Sequence, residues 1–252
     1  MRDVATGPSS TPSAPGPSSI AVARTGGRSF RCFGRPPTTA DVALAAWEWF
    51  GRRATIGAGS RRASRFGAFG AGSRICFPPA ALFGEHAIRI GAGTLVGPGV
   101  ALTAGMGPGQ DLIGDAIVGI GDRCVIGRGS SIVGHYSITI GDDVYTGPSV
   151  YITDQNHDWE RLDQPIGRQA RPELPVRIGA GSWLGTGVVV LPGLTVGEHA
   201  VIGAGTVLSR DVPSRSVVVG NPARVVQRWV EGSGWVSGAT GERPVPERNR
   251  EG

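Results

Sequence analysis

His157 is the residue of this chain best placed to move a proton. It ends the run Thr153-Asp154-Gln155-Asn156-His157 and is followed at once by Asp158 and Trp159. Imidazole titrates near neutrality, so it can take a proton from an acceptor hydroxyl at physiological pH. Asp154, Asp158, Glu160 and Glu173 all lie near enough in sequence to orient the ring, and sequence alone does not choose among them. A histidine among Asn and Asp is commonly a turn residue. His157 differs in its address: a regular repeat hands over there to a long irregular stretch, so a scaffold fixes the ring while a loop can shield it from water.

The repeat itself is unambiguous. Ile178, Leu184, Val190, Val196, Ile202 and Leu208 head six consecutive hexads without a slip. Neither a 3.6-residue helix nor an alternating strand keeps one face at that spacing, so each hexad is one flat side of a coil. Position 5 carries small or branched residues (Ser182, Val188, Leu194, Ala200, Thr206, Val212) that suit a narrow interior. Position 4 carries Gly181, Gly187, Gly193, His199, Gly205 and Asp211, types that best tolerate a positive φ at a sharp corner. Three sides close a triangle of 18 residues, and stacked triangles pair as parallel strands about 4.8 Å apart.

Weaker coils precede these at Ile90/Val96/Leu102, Ile120/Ile126/Ile132 and Ile140/Thr146/Ile152, giving five. The register breaks at 108–119, 138–139 and 158–177, which must loop out of a corner. The expectation is an all-β solenoid over 90–220, flanked by 30–89 (a cap helix and an irregular coil) and by a C-terminal helix over 221–231. Residues 1–29 and 232–252, rich in Pro, Ser and Gly without period, read as a disordered leader and tail. The cap helix runs from Thr38 to Arg53, with Thr38 and Asp41 as a capping box and Val42, Ala45, Ala46 and Trp49 on the face turned to the open end of the coils.

Forty-two glycines and 19 prolines among 252 residues would suggest low complexity, but the glycines keep the aliphatic period. The leader has no apolar core of a secretory signal, and the uncharged run 178–197 is broken by glycines and Pro192 in hexad register, so membrane insertion is not expected. Three cysteines without metal-ligand spacing fit reduced thiols in a cytoplasmic protein. Lysine is absent, and the positive charge is concentrated early: residues 1–89 carry 12 arginines against 4 acids. No groove-reading motif accompanies them, so nucleic acid is not an expected partner.

From Ile140 to Arg228 the chain resembles the hexapeptide-repeat acyltransferases, a family of left-handed parallel β-helices that includes maltose and galactoside O-acetyltransferases. The resemblance is strongest at Gly181-Ser182-Trp183-Leu184-Gly185-Thr186-Gly187, at Ile202-Gly203-Ala204-Gly205-Thr206-Val207-Leu208-Ser209-Arg210-Asp211-Val212-Pro213, and at Val219-Gly220-Asn221-Pro222-Ala223-Arg224-Val225-Val226. It implies an O-acetyltransferase acting on a sugar or small-molecule hydroxyl, with His157 as the general base toward acetyl-coenzyme A. Thr186 and Ala204 then match the positions whose backbone binds the pantetheine arm, and Ser209 and Arg210 the pair near the nucleotide. Arg224 is a second phosphate partner, with Arg228 beside it on the expected helix. Trp183 matches the tryptophan beside the groove; His135 stands where an acidic acceptor-binding residue is found, and Ser149 where asparagine is frequent. The resemblance also implies a homotrimer with sites shared between subunits, and no metal requirement. His199 and His86 read as structural.

Two departures stand out: the N-terminal helical domain of the maltose branch is absent, and Asp158 replaces a proline after the histidine. Both point toward acetylation of polysaccharides or glycosides. N-acetylation of an amino sugar or antibiotic is the alternative. A carbonic-anhydrase-like zinc enzyme would need a third histidine beside His135 and His157. A non-catalytic solenoid would need a flat repeated outward array, which Ala180, Trp183, Thr186, Val189, Pro192 and Glu198 do not form.

Overall fold

The computed structural model describes residues 36–169 and 172–238; the expected leader at 1–29 and most of the expected tail lie outside these. Residues 68–208 wind through three parallel faces. The first stacks Arg74–Ile75, Leu95–Val96, Val125–Ile126, Tyr145–Thr146, Trp183–Leu184 and Val201–Ile202, and then Ser216–Val219. The second stacks Ala81–Phe83, Ala101–Ala104, Ser131–Gly134, Tyr151–Thr153, Val189–Val190 and Val207–Leu208. The third stacks Ala68–Phe69, Ile88–Ile90, Val118–Ile120, Ile138–Ile140, Val176–Ile178 and Thr195–Val196.

Hexad position 1 turns inward on every face. On the third face Phe69, Ile90, Ile120, Ile140, Ile178 and Val196 lie one above another in register. From Ile90 onward all are buried. Thr146 is the polar member of the first-face ladder, and its hydroxyl is used: it accepts the Gly127 N–H at 2.8 Å. Position 5 at the corner between the third and first faces forms a second, polar ladder. The buried hydroxyls of Ser73, Thr94 and Ser182 donate to Gly91, Gly121 and Gly197 carbonyls of the next coil at 2.6, 2.7 and 3.0 Å. Cys124 belongs to this ladder, and burial pushes its thiol up from the usual cysteine range.

Six coils are complete rather than five. The additional one runs through Phe69, Ile75 and Leu82, where the second step is seven residues instead of six, a slip that hides the period. The end before it is closed by the segment that follows the helix. Ile56–Gly57 pairs antiparallel with Arg74–Ile75, and Ile56, Ala63 and Phe66 are buried.

The helix spans Thr39–Ala54 and starts at the expected capping box: the Thr38 hydroxyl and N–H both donate to Asp41 Oδ2, and the Asp41 N–H donates to Thr38 Oγ1. Its expected capping face is not used. No helix residue is buried, and contact with the coils is made by Trp47 and Phe50, which meet Phe77 with ring centroids 5.6 and 5.1 Å apart. The shorter segment 56–66 already fills the end, so the helix has little left to cover.

The C-terminal helix expected over 221–231 is instead a strand. Arg224–Val230 folds back antiparallel on Ser216–Val219, and Gly234–Ser237, inside the expected tail, pairs antiparallel with it in turn. An open sheet edge at the last coil offers unpaired backbone groups to a Val-Val and Trp-Val segment, and that outweighs the helix-start signal of Asn221-Pro222. The register shifts between Val217 and Val218, leaving Val226 unpaired, so Arg224 and Arg228 do not share a face as a helix would have them do.

Candidate active site

Two long departures from the coil and a short one between them leave from one corner, where the second face turns into the third. They follow Ala104, Gly134 and Thr153 and rejoin at Val118, Ile138 and Val176, so each begins three or four residues earlier than the hexad count indicates. His135 opens the second of them and His157 lies in the third. Ser209 and Arg210, just past Val207–Leu208, are exposed at the same corner.

At this corner the described carboxylates divide their work. Asp154, wholly buried, accepts backbone N–H groups from His135 (2.9 and 3.1 Å), Tyr136 (2.9 Å) and Ser137 (2.7 Å), while its own carbonyl accepts the Leu174 N–H. It therefore pins the short excursion to the long one and is not free to orient His157. Asp158 accepts the N–H of Trp159 at 2.8 Å. Glu173 Oε1 lies 3.6 Å from Nδ1 of the buried His135 ring, beside a small cavity bordered by Leu112 and Ile113. His157 itself is exposed, its backbone N–H donating to Asn156 Oδ1 at 2.9 Å. Gln169, buried, anchors the long excursion: its side-chain amide donates to the carbonyls of Arg161 and Gln164 and accepts the Arg161 N–H.

Of the remaining predicted residues, Thr186, Ala204 and Ser149 gather at the other edge of the second face. Hexad position 3 places Pro98, Arg128, Pro148, Thr186 and Ala204 in one column along the corner between the first and second faces. Position 4 places Gly99, Gly129, Ser149, Gly187 and Gly205 beside it. All five position-4 residues have positive φ, Ser149 at 58°, which is why glycine or asparagine suits that site. An open groove runs along this corner, lined by Pro98, Gly99, Arg128, Gly129, Pro148, Ser149 and Thr186. A Cβ at Gly187 or Gly205 would meet nothing within 4 Å, whereas one at Gly185 would strike the Ala204 nitrogen at 2.6 Å. The groove is thus open and, Arg128 apart, lined by small side chains and prolines, a fit for a slender flexible arm rather than a compact ring.

Arg128 is the residue that motif reading missed. Its signal was the register: it shares position 3 with Thr186 and Ala204, and it is the cation of the groove lining. Trp183 is exposed as expected, standing in register between Tyr145 and Val201 on the first face. With Leu95 and Val125 below them, they make an outward column of apolar side chains. Arg224 is exposed beyond the last coil, with Nη1 donating to the Ala223 carbonyl. Among the described residues, no group of three or more His, Cys, Asp or Glu side chains is arranged to hold a metal ion.

Comparison with known proteins agrees with this architecture. A model described as "Bacterial transferase hexapeptide (six repeats)" matches residues 175–210, and one described as "Hexapeptide repeat of succinyl-transferase" matches 117–154. The Escherichia coli protein "Putative lipopolysaccharide biosynthesis O-acetyl transferase WbbJ" is 30% identical over 141 residues, 52% of this chain and 70% of its own length. Galactoside O-acetyltransferase of Escherichia coli is 35% identical over 102 residues, 38% of this chain. This chain spans 47% of that relative, and 36% of the Mycobacterium tuberculosis protein "Probable acetyltransferase Rv3034c", to which it is 39% identical over 107 residues, 42% of this chain. Among solved structures, AntD, an N-acyltransferase from Bacillus cereus, superposes with a TM-score of 0.56 at 15% identity, covering 66% of this chain and 84% of its own. That likeness is one of fold: a left-handed parallel β-helix.

Proposed function

The chain belongs to the hexapeptide-repeat acyltransferase family, and from that premise we propose that it is an acetyl-coenzyme A-dependent O-acetyltransferase acting on a hydroxyl of a saccharide or small glycoside. The observation that carries this reading is the division of its polar equipment between the two edges of one flat face. A proton-accepting histidine sits on excursions at one corner, and an open groove with a cation runs along the other.

In this reading the groove residues Thr186, Ala204 and Ser149 receive the pantetheine arm and the neighbouring acceptor through backbone and hydroxyl groups. Arg128 and Arg210 meet phosphates by charge-assisted hydrogen bonds, and Ser209 and Arg224 support the nucleotide end. Trp183 borders the groove. His157 takes the proton of the acceptor hydroxyl as its oxygen bonds to the thioester carbonyl carbon. The C–S bond then breaks, and the same proton passes to the departing sulfur, so the histidine ends as it began. His135, its ring beside Glu173, contributes to the acceptor pocket.

A single chain leaves His157 and the groove on different corners, and its interior is filled by the aliphatic ladder. The reading therefore places the working site between copies, in a threefold homotrimer. The exposed column of Leu95, Tyr145 and Trp183 is the kind of surface that a neighbouring copy would cover. A thermal-shift titration with acetyl-coenzyme A tests the proposal. At 100 times the dissociation constant, binding adds about 2.7 kcal/mol of stability, and no shift at millimolar cofactor would overturn it. N-acetylation of an amino sugar is the second reading, favoured by the Glu173 carboxylate beside His135, which suits an ammonium group. Parallel assays with hydroxyl and amino acceptors distinguish the two.

A further inference from the structure

The helix and the turn that follows it carry surface chemistry for which acetyl transfer has no use. Leu44, Trp47 and Phe50 recur at i, i+3 and i+6 and so share one helix face. Although Trp47 and Phe50 touch Phe77, these three side chains remain 60%, 56% and 50% exposed. Trp49, 53% exposed, lies on the other side with the Arg53 guanidinium 4.7 Å over its ring. Exposure of large apolar side chains on this scale, concentrated on one short element, marks a surface that meets something.

Charge identifies what it meets. Residues 43–85 contain six arginines (52, 53, 61, 62, 65 and 74) against two acids, Glu48 and Glu85. Both acids are already engaged, Glu48 with Arg52 and Glu85 with Arg62, each at 3.7 Å. Arg53, Arg61 and Arg65 are exposed and have no acidic partner among the described residues. An exposed apolar helix face that includes a tryptophan, in a segment with an excess of arginines over acids, matches a negatively charged bilayer: the apolar side chains reach the acyl boundary and the guanidiniums meet lipid phosphates. A nucleic acid would use the arginines but not Leu44, Trp47 and Phe50. A second copy would bring like charge against like.

We propose that the helix segment 44–53 and the arginine-bearing turn at 61–65 dock this protein onto an anionic lipid membrane surface. The attachment is peripheral; no helix among the described residues is long and apolar enough to cross a membrane. It draws nothing from the transfer reaction, and none of its residues is placed in the transfer site.

Co-sedimentation of the full chain with phosphatidylcholine vesicles, with and without phosphatidylglycerol, tests it. Binding is expected only to the phosphatidylglycerol vesicles, weakening as salt rises. Trp47→Ser combined with Phe50→Ser should abolish it, while Arg61→Gln and Arg65→Gln should each weaken it about fivefold, the worth of one cation near such a surface. Circular dichroism and light scattering on each variant verify that fold and mass are kept. Failure of the native chain to bind, equal binding to neutral vesicles, or unchanged binding by the folded variants would overturn the proposal. Binding to heparin without binding to vesicles, or a change of assembly mass in the Trp47/Phe50 variant without vesicle binding, would likewise overturn it, pointing to a polyanion or a second copy. Acetyl transfer to a soluble acceptor, measured alongside, is expected to be unchanged in every variant, so docking and catalysis fail separately.

Discussion

Asp154 holds His135 by its backbone: the buried carboxylate lies 2.9 and 3.1 Å from the His135 nitrogen, and the next two N–H groups along the chain also donate to it. One side chain thus fixes the exit of one coil and the start of the long excursion on the next. Asp154→Ala would leave three N–H donors without this acceptor, at about 1–3 kcal/mol for each one that stays buried. Thermal unfolding should show a clear fall in Tm, partly recovered in Asp154→Asn, which keeps one acceptor oxygen. An unchanged Tm for the alanine variant would mean that water replaces the carboxylate at no cost.

Among the described residues, the His157 side chain has no structural task comparable to that of Asp154. His157→Ala should therefore leave unfolding unchanged and lower turnover by about 10² to 10⁴, the usual worth of a general base. Affinity for acetyl-coenzyme A should stay the same. Full turnover in this variant would remove His157 from the reaction.

Arg128 and Arg210 reach the cofactor from opposite edges of the second face in the proposed assembly. Replacing either by alanine should raise KM for acetyl-coenzyme A with little effect on kcat. The one that meets the 3′-phosphate should show a smaller loss with a cofactor lacking that group. If both variants lose equally with both cofactors, neither arginine serves that phosphate.

Sharing of the site between copies predicts that light scattering gives about three times the 26.0 kDa chain mass. At acetyl-coenzyme A concentrations well below the raised KM, mixed trimers of His157→Ala and Arg128→Ala chains should exceed the activity of either parent, because some sites then draw both intact residues from different subunits. No such gain in demonstrably mixed assemblies would place the two residues in the same site of one chain.

Gly181 has φ of +68°, and a Cβ there would meet the His199 imidazole at 2.5 Å. Gly181→Ala should destabilise the chain, since a left-handed alanine alone costs roughly 1–2 kcal/mol. Adding His199→Ala should recover the part due to the ring and leave the backbone part. Equal unfolding of single and double variants would show that the ring swings aside freely.

The coils were legible because a six-residue period is long, strict and unlike any helix or strand pattern. Ile178 through Leu208 could be placed residue by residue, and the buried Cys124 followed from its position 5. The extra coil was hidden by one added residue between Ile75 and Leu82. The C-terminal segment misled because its fate is decided by a sheet edge contributed by Ser216–Val219, a tertiary fact to which the local Asn-Pro signal is blind. Candidate site residues fixed by register, such as Thr186, Ala204 and Arg128, can be aligned from the hexads alone. The tie between Asp154 and residues 135–137 could not be, because it joins two irregular excursions whose paths no period describes.

Ile138 and Val176 re-enter the same ladder above Ile117–Val118 whatever length of chain has intervened, three residues in one case and 22 in the other. Loop length is therefore uncoupled from strand register along this edge. In the proposed reading, insertions, deletions or a grafted segment between His157 and Val176 that keep Asp154 and His157 would alter the acceptor side of the site without rewriting the scaffold. The prism thus tolerates change at a single edge while its three ladders stay in register.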